Sequence, residues 1–180
     1  MATIGVIADT HVPQRLRRLP DGLPAAFRGV DLILHAGDLN SARVVAELEA
    51  IAPVQAVVGN ADLFRSGLPL TRVLEIEGRR IGLTHGHGGW ARYLVGKVRD
   101  TLGVRYDYYL DIVWKSFDSV DAIVFGHTHH AYRSVRSGVL MFNPGPIAPD
   151  YYNTSGPQVG LLHVSAGAIE TEIIQLSRSV

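Results

Sequence analysis

Five short runs in this chain end in the same way, and that repetition constrains the fold more than any other feature. Thr3–Ala8 runs into Asp9-Thr10-His11, Asp31–Ala36 into Gly37-Asp38, and Val54–Val58 into Gly59-Asn60. Arg80–Thr84 runs into His85-Gly86-His87, and Val120–Phe125 into Gly126-His127-Thr128-His129. Apolar runs of this length fit buried strands. At four of the five ends, glycines let the backbone turn sharply where the strand stops. Open α/β sheets place their sites beyond the carboxyl ends of their strands. Taken singly, each ending has an ordinary explanation: an Asp that caps a turn, a plain Gly-Asn turn, a surface loop carrying histidines. Five in one chain point to a single shared site at one edge of the sheets.

The remaining pattern supplies the fold class. Helices are expected over Asp21–Arg28, over Ala42–Ala50 with Asn40 or Ser41 as N-cap, over Trp90–Leu102, and over Tyr108–Phe117 with Asp107 as cap. Hairpins are expected at 71–76 with 80–84 across Glu77-Gly78, at 131–135 with 139–143 across Ser137-Gly138, and at 159–164 with 168–175 around Ala166-Gly167. Strand–helix alternation in the first half implies parallel pairing, and the hairpins of the second half imply antiparallel pairing. The expectation is an α/β chain with α+β character: a mixed sheet packed on a second sheet, with helices outside. At 180 residues without repeat or linker, it is expected to be one domain, 1–180. On the 90–102 helix, Trp90, Ala91, Leu94, Val95, Val98 and Leu102 recur at helical spacing, opposite Arg92, Lys97, Arg99 and Asp100. This stripe is assigned to the core. The alternative is that the 90–118 segment forms a lid or a dimer surface anchored by Trp90, Tyr93, Trp114 and Phe117.

Composition narrows the chemistry. The chain is 47% hydrophobic and 19% charged with a formal net charge of zero, so it is globular and carries no overall field toward nucleic acid. Arg15, Arg17 and Arg18 lie on a proline-punctuated loop and are assigned to a solvated rim. There is no cysteine, which excludes disulfides, thiolate sites and cysteine nucleophiles. Any metal must take nitrogen and oxygen ligands, which suits Mn²⁺, Fe²⁺, Ni²⁺, Zn²⁺ or Mg²⁺. Neither a signal peptide nor an apolar membrane span is visible, and a cytoplasmic location is expected. His127 and His129 leave their turn two residues apart, so they serve one ion or two adjacent ions.

The ordered set Asp-x-His, Gly-Asp, Gly-Asn, His-Gly-His and Gly-His-Thr-His, spread from Asp9 to His129, resembles the calcineurin-like metallophosphoesterase superfamily. The chain is most similar to its small bacterial and archaeal phosphodiesterases of the YfcE type. The resemblance implies two packed mixed β-sheets flanked by helices, a four-layer sandwich, and two divalent metal ions in one site, with Mn²⁺ favoured and Fe, Ni²⁺ or Zn²⁺ as alternatives. Carried over motif by motif, it implies that Asp9, His11 and His129 hold one ion, that Asn60, His85 and His127 hold the other, and that Asp38 bridges both. Asp38 and Asn60 are then catalytic as well as ligating. A bridging hydroxide is expected to attack a small phosphodiester or nucleotide-like substrate in line, with no covalent enzyme intermediate. Asn60 and His87 are the expected substrate contacts.

Two departures matter. Many members carry a histidine after Gly-Asn that assists the leaving group, and here Ala61 stands there, followed by Asp62; His87 is the nearest candidate for phosphate contact or proton donation. Relatives often read Asn-Pro-Gly-Ser where this chain has Asn143-Pro144-Gly145-Pro146. His35, His130 and His163 fall outside the motifs and are assigned structural or surface roles. Two other functions compete with the leading one. One is a non-catalytic scaffold resembling the eukaryotic retromer subunit, which shares the fold but has altered metal motifs. The other is a phosphomonoesterase or nucleotide polyphosphate hydrolase. Neither stable nucleic-acid binding nor membrane association is expected.

Overall fold

The computed structural model describes residues 1–62, 67–101, 106–148 and 156–177. In chain order the elements are β1 (Ala2–Ile7), α1 (Leu23–Ala26), β2 (Leu32–His35), α2 (Ala42–Glu49), β3 (Val54–Ala56), β4 (Thr71–Ile76) and β5 (Arg79–Thr84). They continue with α3 (Trp90–Thr101), α4 (Tyr106–Trp114), β6 (Ala122–Val124), β7 (Tyr132–Arg136), β8 (Val139–Asn143), β9 (Gln158–Val164) and β10 (Ile169–Gln175). The strands form two five-stranded sheets, ordered β10-β9-β1-β2-β3 and β4-β5-β6-β8-β7. Both are mixed. In the first, β1, β2 and β3 pair in parallel while β9 and β10 run antiparallel. In the second, β5, β6 and β8 are parallel and the hairpin partners β4 and β7 are antiparallel.

The apolar runs are explained by burial on both strand faces. Alternate residues Ile4, Val6, Leu34 and Ala36 pack against Ile81, Leu83, Val124 and Phe142 between the sheets. Their neighbours Ile7 and Ile33 face outward under α1 and α2, against Leu23, Phe27, Val44 and Leu48. On the far side, Ile123, Phe125 and Met141 pack under α4 with Val113, Trp114 and the following Phe117. Helix, sheet, sheet and helix thus make the expected four layers. One glycine on each outer face admits an aromatic ring: a Cβ on Gly5 would lie 3.0 Å from the Phe27 ring, and one on Gly82 2.9 Å from Phe117.

The expected elements are present with shifted ends. α1 is shorter than Asp21–Arg28, and α4 starts at Tyr106, so Asp107 lies in its first turn rather than capping it. The α3 stripe departs most. Leu94, Val95 and Val98 are 58%, 50% and 62% exposed, and Trp90 45%, so this face is not core. The reason is which side of α3 meets α4. A Cβ on Gly96 would lie 2.9 Å from the Tyr109 ring, so the helices approach at the glycine and the bulky apolar side chains are left outside. Trp114 and Phe117, by contrast, pack into the outer layer. Leu102 lies outside the described residues, as does the side chain of Asp100. Among the described residues, no helix is long and apolar enough to cross a membrane.

Because Phe27 is fully buried between α1 and β1, Phe27→Ala is expected to cost about 3–5 kcal/mol. Urea unfolding checks this, the midpoint falling while the slope stays constant.

Candidate metal centre

Strand ends at β1, β2, β3, β5 and β6 converge, and the backbone there is bent into conformations that L-residues rarely adopt. Asp9, His11, Asp38, His127 and His129 have φ of 54°, 47°, 59°, 68° and 53°. Non-glycine residues held in this left-handed region carry strain, and such residues cluster at functional sites. Two glycines are needed for close approach. A Cβ on Gly59 would fall 2.0 Å from Asp38 Oδ1, and one on Gly126 would fall 2.8 Å from the Ala36 carbonyl oxygen and 3.1 Å from Asp9 Oδ2. Each strand end therefore presses onto the carboxylate of another.

Asp9, His11, Asp38 and His129 each offer one ligand atom, and these atoms all lie within 4.8 Å of one another. His129 Nε2 is 3.3 Å from Asp9 Oδ1. Asp38 Oδ2 is 3.4 Å from His11 Nε2 and 3.4 Å from His85 Nε2. Asp38 thus touches both halves of the expected ligand set. On the far side, His85 Nε2 is 3.1 Å from Asn60 Oδ1, and the His85 and His127 ring centroids are 5.0 Å apart. His127 and His129 diverge: His129 turns to Asp9, while His127 packs on Tyr109 at 4.4 Å between centroids. His85 Nδ1 donates to the Ala36 carbonyl at 2.7 Å, which fixes the ring and aims Nε2 at Asp38. His87 is fully buried beside His85, with centroids 5.4 Å apart and neither ring nitrogen hydrogen-bonded.

The electrostatics are those of buried carboxylates facing imidazoles. Burial pushes the Asp38 carboxyl up, but His85 and His11 together with the Ala61 N–H outweigh it, and its pKa lies well below the usual range. Asp9 is likewise lowered, burial being overcome by His129 and His85. His85 moves the other way. Burial lowers its pKa, but the Asp38 and Asp9 carboxylates prevail and raise it to about 9. Burial lowers His11 and His127, and burial with the nearby His85 takes His87 down to about 4. The donor set fits a divalent cation. It supplies nitrogen and oxygen ligands only, two buried ionised carboxylates, and a buried His11 Nε2 without a hydrogen-bond partner among the described residues.

Sequence reasoning missed the residues that hold this arrangement. Asp62, merely nearby in sequence, accepts from three backbone N–H groups: Oδ2 from Leu39 at 3.1 Å and Gly59 at 2.9 Å, Oδ1 from Asn40 at 2.7 Å. It ties the β2 end to the β3 end. Asn143 looked like the start of a rigid loop. Its Nδ2 donates to the Gly126 carbonyl at 2.9 Å and to Thr128 Oγ1 at 3.1 Å, bracing the two-histidine turn. The structural assignment of His35 fits the geometry. Its Nδ1 accepts from Gly37 N at 3.2 Å and its Nε2 meets Thr10 Oγ1 at 3.2 Å, and burial drops its pKa to about 4. His130 is exposed and bonded to the Thr128 carbonyl, and His163 contacts Thr3. Arg18 pairs with Asp21 at 2.7 Å on the exposed rim.

Residues 2–167 match the family model described as the calcineurin-like phosphoesterase superfamily domain. The chain belongs to this superfamily. A probable metallophosphoesterase of Methanothermobacter thermautotrophicus is 36% identical over 178 residues, covering 98% of this chain and 94% of that one. A protein of Methanocaldococcus jannaschii named phosphodiesterase MJ0936 is 26% identical over 181 residues, covering 88% of this chain and 91% of its own. In fold, the chain is similar to Vps29 of Entamoeba histolytica solved with Zn²⁺, at TM-score 0.65 and 23% identity over 96% of this chain and 98% of that one. This metallophosphoesterase-family chain thus carries a clustered Asp/His group suited to a metal.

Because His85 holds a proton up to about 9 in the metal-free protein, a cation must displace it. That proton stabilises the metal-free fold fully below the unfolded histidine value of about 6.5, and the contribution is lost as pH rises through about 9. Mn²⁺ affinity is therefore expected to rise between pH 6.5 and 9, with proton release, as calorimetry in buffers of different ionisation enthalpy measures. Asp62→Asn leaves a buried backbone donor facing an amide N–H₂ and is expected to cost about 1–3 kcal/mol in chemical denaturation.

Proposed function

We propose that the chain, acting as one domain over 1–180, is a phosphodiesterase that uses two divalent ions, Mn²⁺ first among Mn²⁺, Fe, Ni²⁺ and Zn²⁺. The observation that carries this reading is Asp38, whose Oδ2 lies 3.4 Å from a histidine on each side. Asp9, His11 and His129 would hold one ion, Asn60, His85 and His127 the other, and Asp38 both. Bound there, the ions supply an acidified water and a positive clamp on the phosphoryl oxygens of an in-line displacement, without a covalent enzyme intermediate.

The side chains supply the rest. Asn60 contributes a neutral carbonyl oxygen, so it ligates without adding charge, and its amide N–H₂ remains to donate to a phosphoryl oxygen. His87, with a pKa near 4, is neutral at pH 7 and acts as a hydrogen-bonding contact rather than as a charged acid. Ala61 supplies no proton, so phosphodiesters with good leaving groups are favoured. Tyr93 and Tyr109 flank His127 at 6.2 and 4.4 Å between centroids, and Trp90 stands beyond Tyr93 at 5.9 Å. That aromatic wall supports a nucleotide-like substrate. The proposal includes a cytoplasmic site of action. The exposed Leu94, Val95 and Val98 support self-association through α3, which sedimentation checks.

A second reading is a protein-binding scaffold. It is favoured by the likeness to Vps29 of Chaetomium thermophilum solved with a cyclic peptide, at TM-score 0.68 and 20% identity over 99% of this chain and 89% of that one. The third, a phosphomonoesterase or nucleotide polyphosphate hydrolase, is separated from the first by comparing monoester and diester rates.

The expected outcome is hydrolysis of bis-p-nitrophenyl phosphate that disappears on chelation and returns with Mn²⁺. Asp38→Asn is expected to lower kcat/KM by about 100-fold or more. No metal-dependent turnover, with Asp38→Asn equal to wild type, would favour the scaffold.

A further inference from the structure

A cavity of about 490 Å³ opens beside the metal centre, lined by Leu39, Asn40, Ala42, Val45, Ala61 and Leu68 among others. Two of its lining residues directly follow proposed ligands. Leu39 follows Asp38 in the chain and Ala61 follows Asn60. The Ala61 N–H donates to Asp38 Oδ1 at 2.8 Å, so this wall and the ligand touch. The cavity therefore adjoins the proposed ligand Asp38 through Ala61.

The lining states what that group is. Among the described residues, no lysine, arginine or histidine lines it, so the described lining offers no cation to a second phosphate or a carboxylate. The one acid, Asp62, is buried and has both oxygens engaged by backbone N–H groups. Ser41 Oγ accepts from Arg43 N as the α2 cap. What remains is the methyl-rich surface of Leu39, Ala42, Val45, Ala61 and Leu68. At its edge, Asn40 is 9% exposed and its Oδ1 is buried without a hydrogen-bond partner. An apolar cleft of a few hundred Å³ with one unmatched polar atom suits a flat, uncharged ring.

Resting on the phosphodiesterase reading, we propose that this cavity is the subsite for one ester arm of the substrate, an uncharged aromatic ring, and that the small side chain of Ala61 sets its width. A larger residue at 61 narrows the cavity from the side nearest Asp38 while keeping the backbone N–H that Asp38 uses.

The test has two parts. Metal-free, methyl-labelled protein is titrated with 4-nitrobenzyl alcohol, an uncharged aryl probe. Saturable shifts of the Leu39, Val45 and Leu68 methyl signals are expected, and their loss in Ala61→Phe. With Mn²⁺ restored, Ala61→Phe and, as a second variant on α2, Val45→Phe are each expected to raise KM for bis-p-nitrophenyl phosphate about 10-fold or more, with Mn²⁺ affinity unchanged. Absence of saturable shifts, or unchanged KM in both variants, overturns the subsite even where hydrolysis is strong. Saturable shifts lost in Ala61→Phe, with no hydrolysis by the wild type, retain the aryl-binding cavity and overturn the phosphodiesterase reading instead.

Discussion

Two carboxylates removed from water, Asp9 fully buried and Asp38 2% exposed, are the constraint around which this molecule is arranged. An isolated buried carboxylate is too costly to keep ionised, so it must find positive charge or hydrogen-bond donors. Here the donors come from every neighbouring strand end. Asp9 receives the His127 N–H at 3.2 Å and faces His129, while Asp38 receives the Ala61 N–H and faces His11 and His85. The same charges that draw in these imidazoles suit divalent cations. In the metal-free protein a proton on His85 takes over part of that compensation.

The fold makes this burial feasible. Parallel β1, β2 and β3 bring Asp9, Asp38 and Asn60 to adjacent strand ends, and parallel β5 and β6 do the same for His85 and His127. Packing the sheets face to face through Ile4, Val6, Leu34, Ile81, Leu83 and Val124 sets the two groups of strand ends opposite each other. The turns then give up favourable backbone geometry at five non-glycine residues. Asp62 and Asn143, buried and bonded to backbone around those turns, oppose their relaxation. The Calcineurin-like family membership and the clustered Asp/His group are two views of one arrangement.

Much of this was legible in the chain itself. Buried strands announce themselves as unbroken apolar runs, and residues such as Asp38 after Gly37 mark where a strand stops and chemistry begins. The layered sandwich followed from strand–helix alternation giving way to hairpins around Glu77-Gly78 and Ser137-Gly138. The bracing role of Asp62 was hidden because its three partners are backbone N–H groups, which leave no trace in residue identity. Asn143 was hidden because it reaches from β8 to a turn 15 residues away along the chain. The α3 stripe misled for a related reason. Helical spacing shows that Leu94, Val95 and Val98 share a face, but the side that meets α4 was chosen by Gly96, the residue with no side chain to obstruct Tyr109. The cavity beside Ala61 was equally invisible, since it depends on a side chain that is small.

The central claim is that folding gathers seven side chains into a cradle for a pair of cations. Anomalous diffraction from crystals soaked in Mn²⁺ tests it most directly. The account predicts two peaks ~3.5–4 Å apart, one among Asp9, His11 and His129, the other among Asn60, His85 and His127, with Asp38 between them. A fully occupied soak with no peak at these residues, or with ions only on the outer surface, would contradict it.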